Sequence, residues 1–174
     1  MARTNIKPTG LSVDHYCALG MVTANWGALE AMVSSSIWQI GEIPDEIGIC
    51  LTSQIYTLDG KLKALVTLLS VRGNFENVIS KLNKFHEKLR GVSSARNRAT
   101  HDPWVGDENT GVPHRLQATA EKTLVFEHKP VPTSQLYELA RAISEKIDEF
   151  DEIIRPAILR FPPLPIHDEF AVII

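Results

Sequence analysis

Apolar side chains recur at alternating steps of three and four through most of the chain, and this period predicts four long helices. Over about 12–40, Leu19, Val22, Trp26, Leu29, Val33 and Ile40 share one stripe, with Ser12 or Asp14 placed to cap its start and Gly41 to end it. The second helix, about 44–72, opens on Pro44, a favoured first-turn residue, and carries Ile47, Leu51, Ile55, Leu58, Leu62, Leu65 and Leu69 up to Gly73. Gly60 in its middle costs about 1 kcal/mol and implies a kink or a close helix contact. The third, about 74–101 with Asn74 as N-cap, carries Val78, Leu82, Phe85, Leu89 and Val92, and Pro103 places His101 in or just beyond its last turn. The fourth, about 133–155, begins at Thr133 or Ser134 and turns Leu136, Leu139, Ile143, Ile147, Phe150 and Ile154 inward.

Between the last two helices the period changes. Gly106, Asn109, Gly111 and Pro113 make a loop, and about 114–129 alternates as a two-stranded hairpin turning near Ala120-Glu121-Lys122. Two strands alone are marginal, so the hairpin must pack on the helices. The segment 156–174 holds four prolines and ends Phe-Ala-Val-Ile-Ile, an ending costly to leave in water that is expected to dock on this bundle or on a second copy. The fold class read from these elements is all-α: one domain over 1–174, a bundle of four main helices with a small inserted β-hairpin.

Composition narrows the picture. A chain of 174 residues with 44% hydrophobic content can bury one substantial core. Its first ten residues lack the apolar core of a signal peptide, and no stretch approaches the roughly 18 apolar residues of a membrane span, so the expected setting is soluble and cytoplasmic. Cys17 and Cys50 lie far apart without metal-ligand spacing, which suits buried free thiols in a reducing compartment. The net charge of −3 conceals a division: from Lys61 to His101 nine lysines and arginines face two acidic residues, giving +7 there and −10 elsewhere. Such a segment can steer a polyanion, or simply solvate the outer faces of two helices.

The positive segment ends at Arg96-Asn97-Arg98-Ala99-Thr100-His101. Continuing the stripe of the third helix lands on Arg96, where the pattern calls for an apolar side chain, and a guanidinium keeps its charge when it leaves water. It must meet an anion, a partner residue or a wet cleft. Asn97 and His101 lie about 40° apart around the axis, with Arg96 roughly 100° from Asn97. A local rule that fails once in a well-patterned segment tends to mark function.

Arg96, Asn97 and His101 on a long helix of a small helical protein resemble the signature of the HEPN superfamily: an arginine, a polar residue, three or four others, then a histidine. The resemblance covers the order of helices along most of 11–155, and Trp26-Gly27-Ala28-Leu29-Glu30 looks like segments of uncharacterised bacterial members. It implies a helical homodimer and a metal-independent endoribonuclease of the toxin or defence kind, with RNA as substrate and an antitoxin or other regulator as a further partner. It also implies that two copies meet to bring two motifs together. In that chemistry His101 is the acid/base, Arg96 holds the phosphate and Asn97 orients one of them. Lys84, Lys88, Arg90, Arg98 and Trp104 are the candidate nucleic-acid contacts, Trp104 as a base-stacking platform or, better, a hydrophobic plug. The rival is a non-catalytic binding or scaffold module, with Arg96 salt-bridged to an acidic residue of the fourth helix.

Other chemistries find less support. His101-Asp102 and His167-Asp168 lack companion histidines at ligand spacing, so neither a metal nor another cofactor is expected. No Gly-x-Ser-x-Gly, Walker-type Gly-Lys-Ser/Thr or Gly-x-Gly-x-x-Gly occurs, which removes hydrolase elbows, nucleotide-triphosphate loops and Rossmann cofactors.

Overall fold

In a computed structural model of the chain, residues 10–107, 110–119 and 125–162 are described. Among them are five helices, α1 (Val13–Gly41), α2 (Asp45–Thr52), α3 (Leu58–Arg72), α4 (Glu76–His101) and α5 (Thr133–Ile158), and three strands, β1 (Trp104–Gly106), β2 (Pro113–Thr119) and β3 (Val125–Pro130). The protein is thus mostly helical with a small sheet, and the four-helix expectation is corrected to five helices, the hairpin to a three-stranded sheet. None of the helices is long and apolar enough to cross a membrane. The chain divides into two compact units, Met1–Trp26 with Arg90–Ser144 and Gly27–Leu89 with Glu145–Ile174; α1, α4 and α5 each contribute to both.

The second unit holds the larger apolar core. Leu29, Val33, Ile40, Leu62, Leu65, Leu69, Leu82, Phe85, Phe150 and Ile154 are all buried, and Phe85 and Phe150 meet at 5.8 Å between ring centroids. Fully burying each such side chain contributes about 1.5–3 kcal/mol, which makes apolar packing the main stabilising term of this unit. Its departure from expectation is the break between α2 and α3. Thr57 accepts the Gly60 N–H at 3.0 Å and starts a new helix, so Gly60 lies in a first turn and marks no kink. The small residues Gly48 and Thr52 face the Trp38 indole: a Cβ at Gly48 would lie 2.4 Å from Trp38 Cγ, and Trp38 Nε1 donates to Thr52 Oγ1 at 3.1 Å. Because the indole takes the face that has room for it, Ile47, Ile49 and Leu51 are left about half exposed, opposite to the inward placement expected of Ile47 and Leu51.

Two helix starts also shift. Gly73 and Asn74 both adopt positive φ, 73° and 62°, so Asn74 turns the chain and α4 begins at Glu76. Pro44 is the residue before α2, whose first turn carries Asp45 and Glu46 at the positive end of its dipole. At the other end of the chain, α5 continues through Pro156 to Ile158; the apolar residues from 163 onward and the expected turn at 120–122 lie outside the described residues.

The first unit is built differently. Its sheet is antiparallel in the order β1-β2-β3, with Trp104 opposite Arg115 and Arg115 opposite Lys129. At three residues β1 is too short to show a period, so the pattern yields only the β2-β3 hairpin. Gly106 is required where the chain crosses Gly10, since a Cβ there would lie 2.3 Å from the Gly10 carbonyl oxygen. The buried apolar residues are Ala18, Val22, Trp26, Ala99, Val131, Leu136, Ala140 and Ile143, and with them His15 and Arg115 are buried too. Asn25 Nδ2 ties α1 to α5 through the Ala140 carbonyl at 2.8 Å. Cys17 and Cys50 are free and exposed, a correction of the expected buried thiols: Cys17 falls off the α1 stripe and Cys50 sits on the outer side of α2.

Candidate functional site

Arg96 resolves its misplacement on the stripe of α4 by lying over an aromatic ring. Its Cζ is 5.2 Å from the centroid of Trp26, which α1 delivers from its own inward stripe. The aliphatic stem can occupy the apolar position while the flat guanidinium is held by the ring's negative face. Arg96 Nη1 donates to Asn97 Oδ1 at 3.1 Å, and Nε is buried without a hydrogen-bond partner. Among the described residues Arg96 makes no ion pair, so the salt bridge to the last helix is absent.

Asn97 and His101 are exposed, and His101 is the last residue of α4. At 100° per residue His101 lies about 40° from Asn97 and about 140° from Arg96. One chain therefore brings Arg96 and Asn97 together and leaves His101 facing elsewhere. Thr100 Oγ1 returns to the Arg96 carbonyl at 3.0 Å within the same turn. Asp102, which could have paired with Arg98 one turn back, faces Arg115 instead, with Oδ2 3.2 Å from Nε. Neither of those two atoms makes a hydrogen bond, so this largely buried pair rests on charge alone.

The candidate nucleic-acid contacts separate. Trp104 is half-buried, its Nε1 donates to the Ala99 carbonyl at 2.8 Å, and its ring stands edge-on to His15 at 4.5 Å. The indole thus seals the end of α4. Arg90 and Arg98 are exposed in the same unit. Lys84 and Lys88 belong to the other unit, where with Lys81 they line a groove of about 280 Å³ against Glu149, Glu152 and Ile153. Lys88 Nζ is 3.2 Å from Glu149 Oε1, and Lys146 reaches the other carboxylate oxygen at 2.5 Å. Burial would raise the Glu149 carboxyl, but the two lysines outweigh it and hold the group below the usual carboxylate range.

Two participants escaped sequence reasoning. Trp26 was legible as a core residue but not as the seat of Arg96, since 70 positions separate them. His15 lies on the α1 stripe extended backward from Val22 through Ala18, a signal that could have marked it as buried. Burial lowers its imidazole pKa, with Asp14 pulling the other way. Tyr137 donates to Asp14 at 2.6 Å, and that bond raises the phenol pKa. No group of three or more His, Cys, Asp or Glu side chains suited to a metal occurs among the described residues. No known protein family, curated protein or solved structure matches the chain.

Proposed function

We propose that Arg96, Asn97 and His101, in the last turns of α4, handle a phosphodiester as working residues of a metal-independent endoribonuclease of the HEPN toxin or defence type, cytoplasmic and acting as a homodimer. The observation that carries this reading is Arg96: a cation oriented by Trp26 and Asn97, with no carboxylate neutralising it among the described residues. A guanidinium held in this way can accept a phosphate without reorganising first, which is the economical way to stabilise charge that builds in a transition state.

In the proposed reaction a ribose 2′-hydroxyl attacks the adjacent phosphorus, the bond from phosphorus to the 5′-oxygen breaks, and a 2′,3′-cyclic phosphate and a free 5′-hydroxyl result. One base removes the 2′ proton and one acid protonates the leaving oxygen. His101 supplies one such group per chain. The 140° between Arg96 and His101 is why a second copy is part of the proposal: His101 of one chain then serves the phosphate held by Arg96 of the other. Lys84, Lys88, Arg90 and Arg98 would contribute the sequence-independent attraction for the RNA backbone. The same divergence favours the alternative, a non-catalytic binding or scaffold module in which Arg96 anchors an anionic group of a protein or nucleic-acid partner and His101 takes no part.

The test is cleavage of mixed RNA by the purified chain in excess EDTA, with Arg96→Ala and His101→Ala variants checked for folding. Cyclic-phosphate ends from the parent and from neither variant support the nuclease. RNA binding that is lost in Arg96→Ala but unchanged in His101→Ala, without cleavage by the parent, supports the binding module.

A further inference from the structure

His15 has no exposed surface. Its Nδ1 lies 3.3 Å from Thr133 Oγ1 at the start of α5, and its Nε2 has no hydrogen-bond partner among the described residues. Trp104 of β1 stands against the ring at 68°, and through its own N–H holds the Ala99 carbonyl in the last turn of α4. The end of α4 would otherwise leave that carbonyl without a partner. One imidazole therefore joins α1 to β1 and α5, and through Trp104 to the end of α4.

The neutral ring suits this position and the charged ring does not. Neutral imidazole offers one donor and one acceptor, and the Thr133 hydroxyl can serve either at Nδ1. Imidazolium carries two N–H donors, of which the Nε2–H would point at no acceptor in a site closed to water. The facing groups compensate only in part: β1 presents the Trp104 indole, whose π face attracts a cation weakly, and α5 presents the Thr133 hydroxyl, and neither brings a charge to the ring. On α1 itself, Asp14 is the neighbouring anion, but it is exposed and takes the Tyr137 hydroxyl. We propose that His15 is an acid-sensitive latch: the neutral imidazole holds β1 and the start of α5 on α1, and its protonation in mild acid releases Trp104 and with it the last turn of α4.

The direction follows from proton binding. Burial depresses the pKa of the closed form, while the opened form takes up its proton near the ordinary histidine value of about 6.5. Opening is therefore independent of pH above that value and rises by up to about tenfold per pH unit below it, until the closed form is itself protonated. The latch stands on the fold alone and goes beyond the nuclease reading. Its test reads the backbone and not cleavage, so the two fail separately.

Amide hydrogen exchange of the full chain at pH 7.5 and 5.0, corrected for intrinsic exchange rates, is the experiment. The latch predicts that protection over Ala99–Gly106 falls severalfold at the lower pH while that over Leu62–Leu69 is kept. His15→Gln should abolish this dependence and His101→Gln should retain it. Unchanged protection in the parent, or an equal fall in His15→Gln, would overturn the proposal. Should His15→Gln open the segment at both pH values, the parent's own His15 ring signals decide by NMR: a closed form that titrates at the ordinary value overturns the latch, and one that stays neutral until the segment opens supports it.

Discussion

The two units differ in what they bury. In the unit of Gly27–Leu89 and Glu145–Ile174, the buried polar side chains Ser34, Ser36 and Thr52 each donate back to a carbonyl of their own helix, and leucine and phenylalanine supply the rest of the core. In the unit of Met1–Trp26 and Arg90–Ser144, the core is thinner and built largely of alanine and valine. There, among the described residues, lie all the buried side-chain polar atoms without a hydrogen bond: His15 Nε2, Arg96 Nε, Asp102 Oδ2 and Arg115 Nε. A buried polar atom without a hydrogen bond costs about 1–3 kcal/mol, part of which the Asp102–Arg115 pair recovers by charge, so one unit concentrates unfavourable terms that the other avoids. Such concentrations tend to occur where a protein works, because a polar group already satisfied internally has little left to offer a ligand.

The comparison breaks most readily in the apolar unit. Phe85→Ala should cost about 3–5 kcal/mol in denaturant unfolding, because the ring packs on Phe150 and leaves a cavity between two long helices. A loss below 1 kcal/mol would mean that this core is not the stable one. Gly48→Ala should cost about 1–3 kcal/mol, since the added methyl must displace the Trp38 ring; an unchanged midpoint would show that α2 is not seated by that indole.

The polar unit sharpens the contrast from the other side. Asp102→Ala leaves Arg115 buried without its anion and should lose about 1–3 kcal/mol, whereas Asp102→Ala combined with Arg115→Met should recover most of it, as replacing both members of a buried pair usually does. Additive losses in that cycle would assign the pair no coupling. Asn97→Ala, at an exposed side chain hydrogen-bonded to Arg96, should change stability by less than about 0.5 kcal/mol while weakening RNA binding.

What was legible in the sequence divides along the same line. The stripes of α1, α4 and α5 follow from the period of three and four, and most of those residues are inside because large apolar side chains have nowhere else to go, while Leu19, Val92, Leu139 and Ile147 are half-buried. Arg96 was legible as an exception to that period. The break after Thr52 was not, because Ile47, Leu51 and Ile55 continue the stripe toward Leu58, and only the approach of Trp38 to Gly48 turns that face outward. Nor were the seat of Arg96 on Trp26 and the pairing of Asp102 with Arg115, which depend on distant segments meeting. Short-range periodicity carries packing; it does not carry the partner of a polar group.

The central claim is that the polar unit holds the chemistry and the lysines of the other unit only assist. The direct measurement is single-turnover RNA cleavage in EDTA by Arg96→Ala set against a Lys84→Ala, Lys88→Ala double variant, across a range of salt. The account predicts a cleavage rate lowered about 10²–10³-fold for Arg96→Ala, measured below its melting midpoint where it stays folded, and for the lysine pair weaker, less salt-dependent binding with the rate at saturation intact. Loss of the saturating rate in the lysine pair, with Arg96→Ala still active, would contradict it.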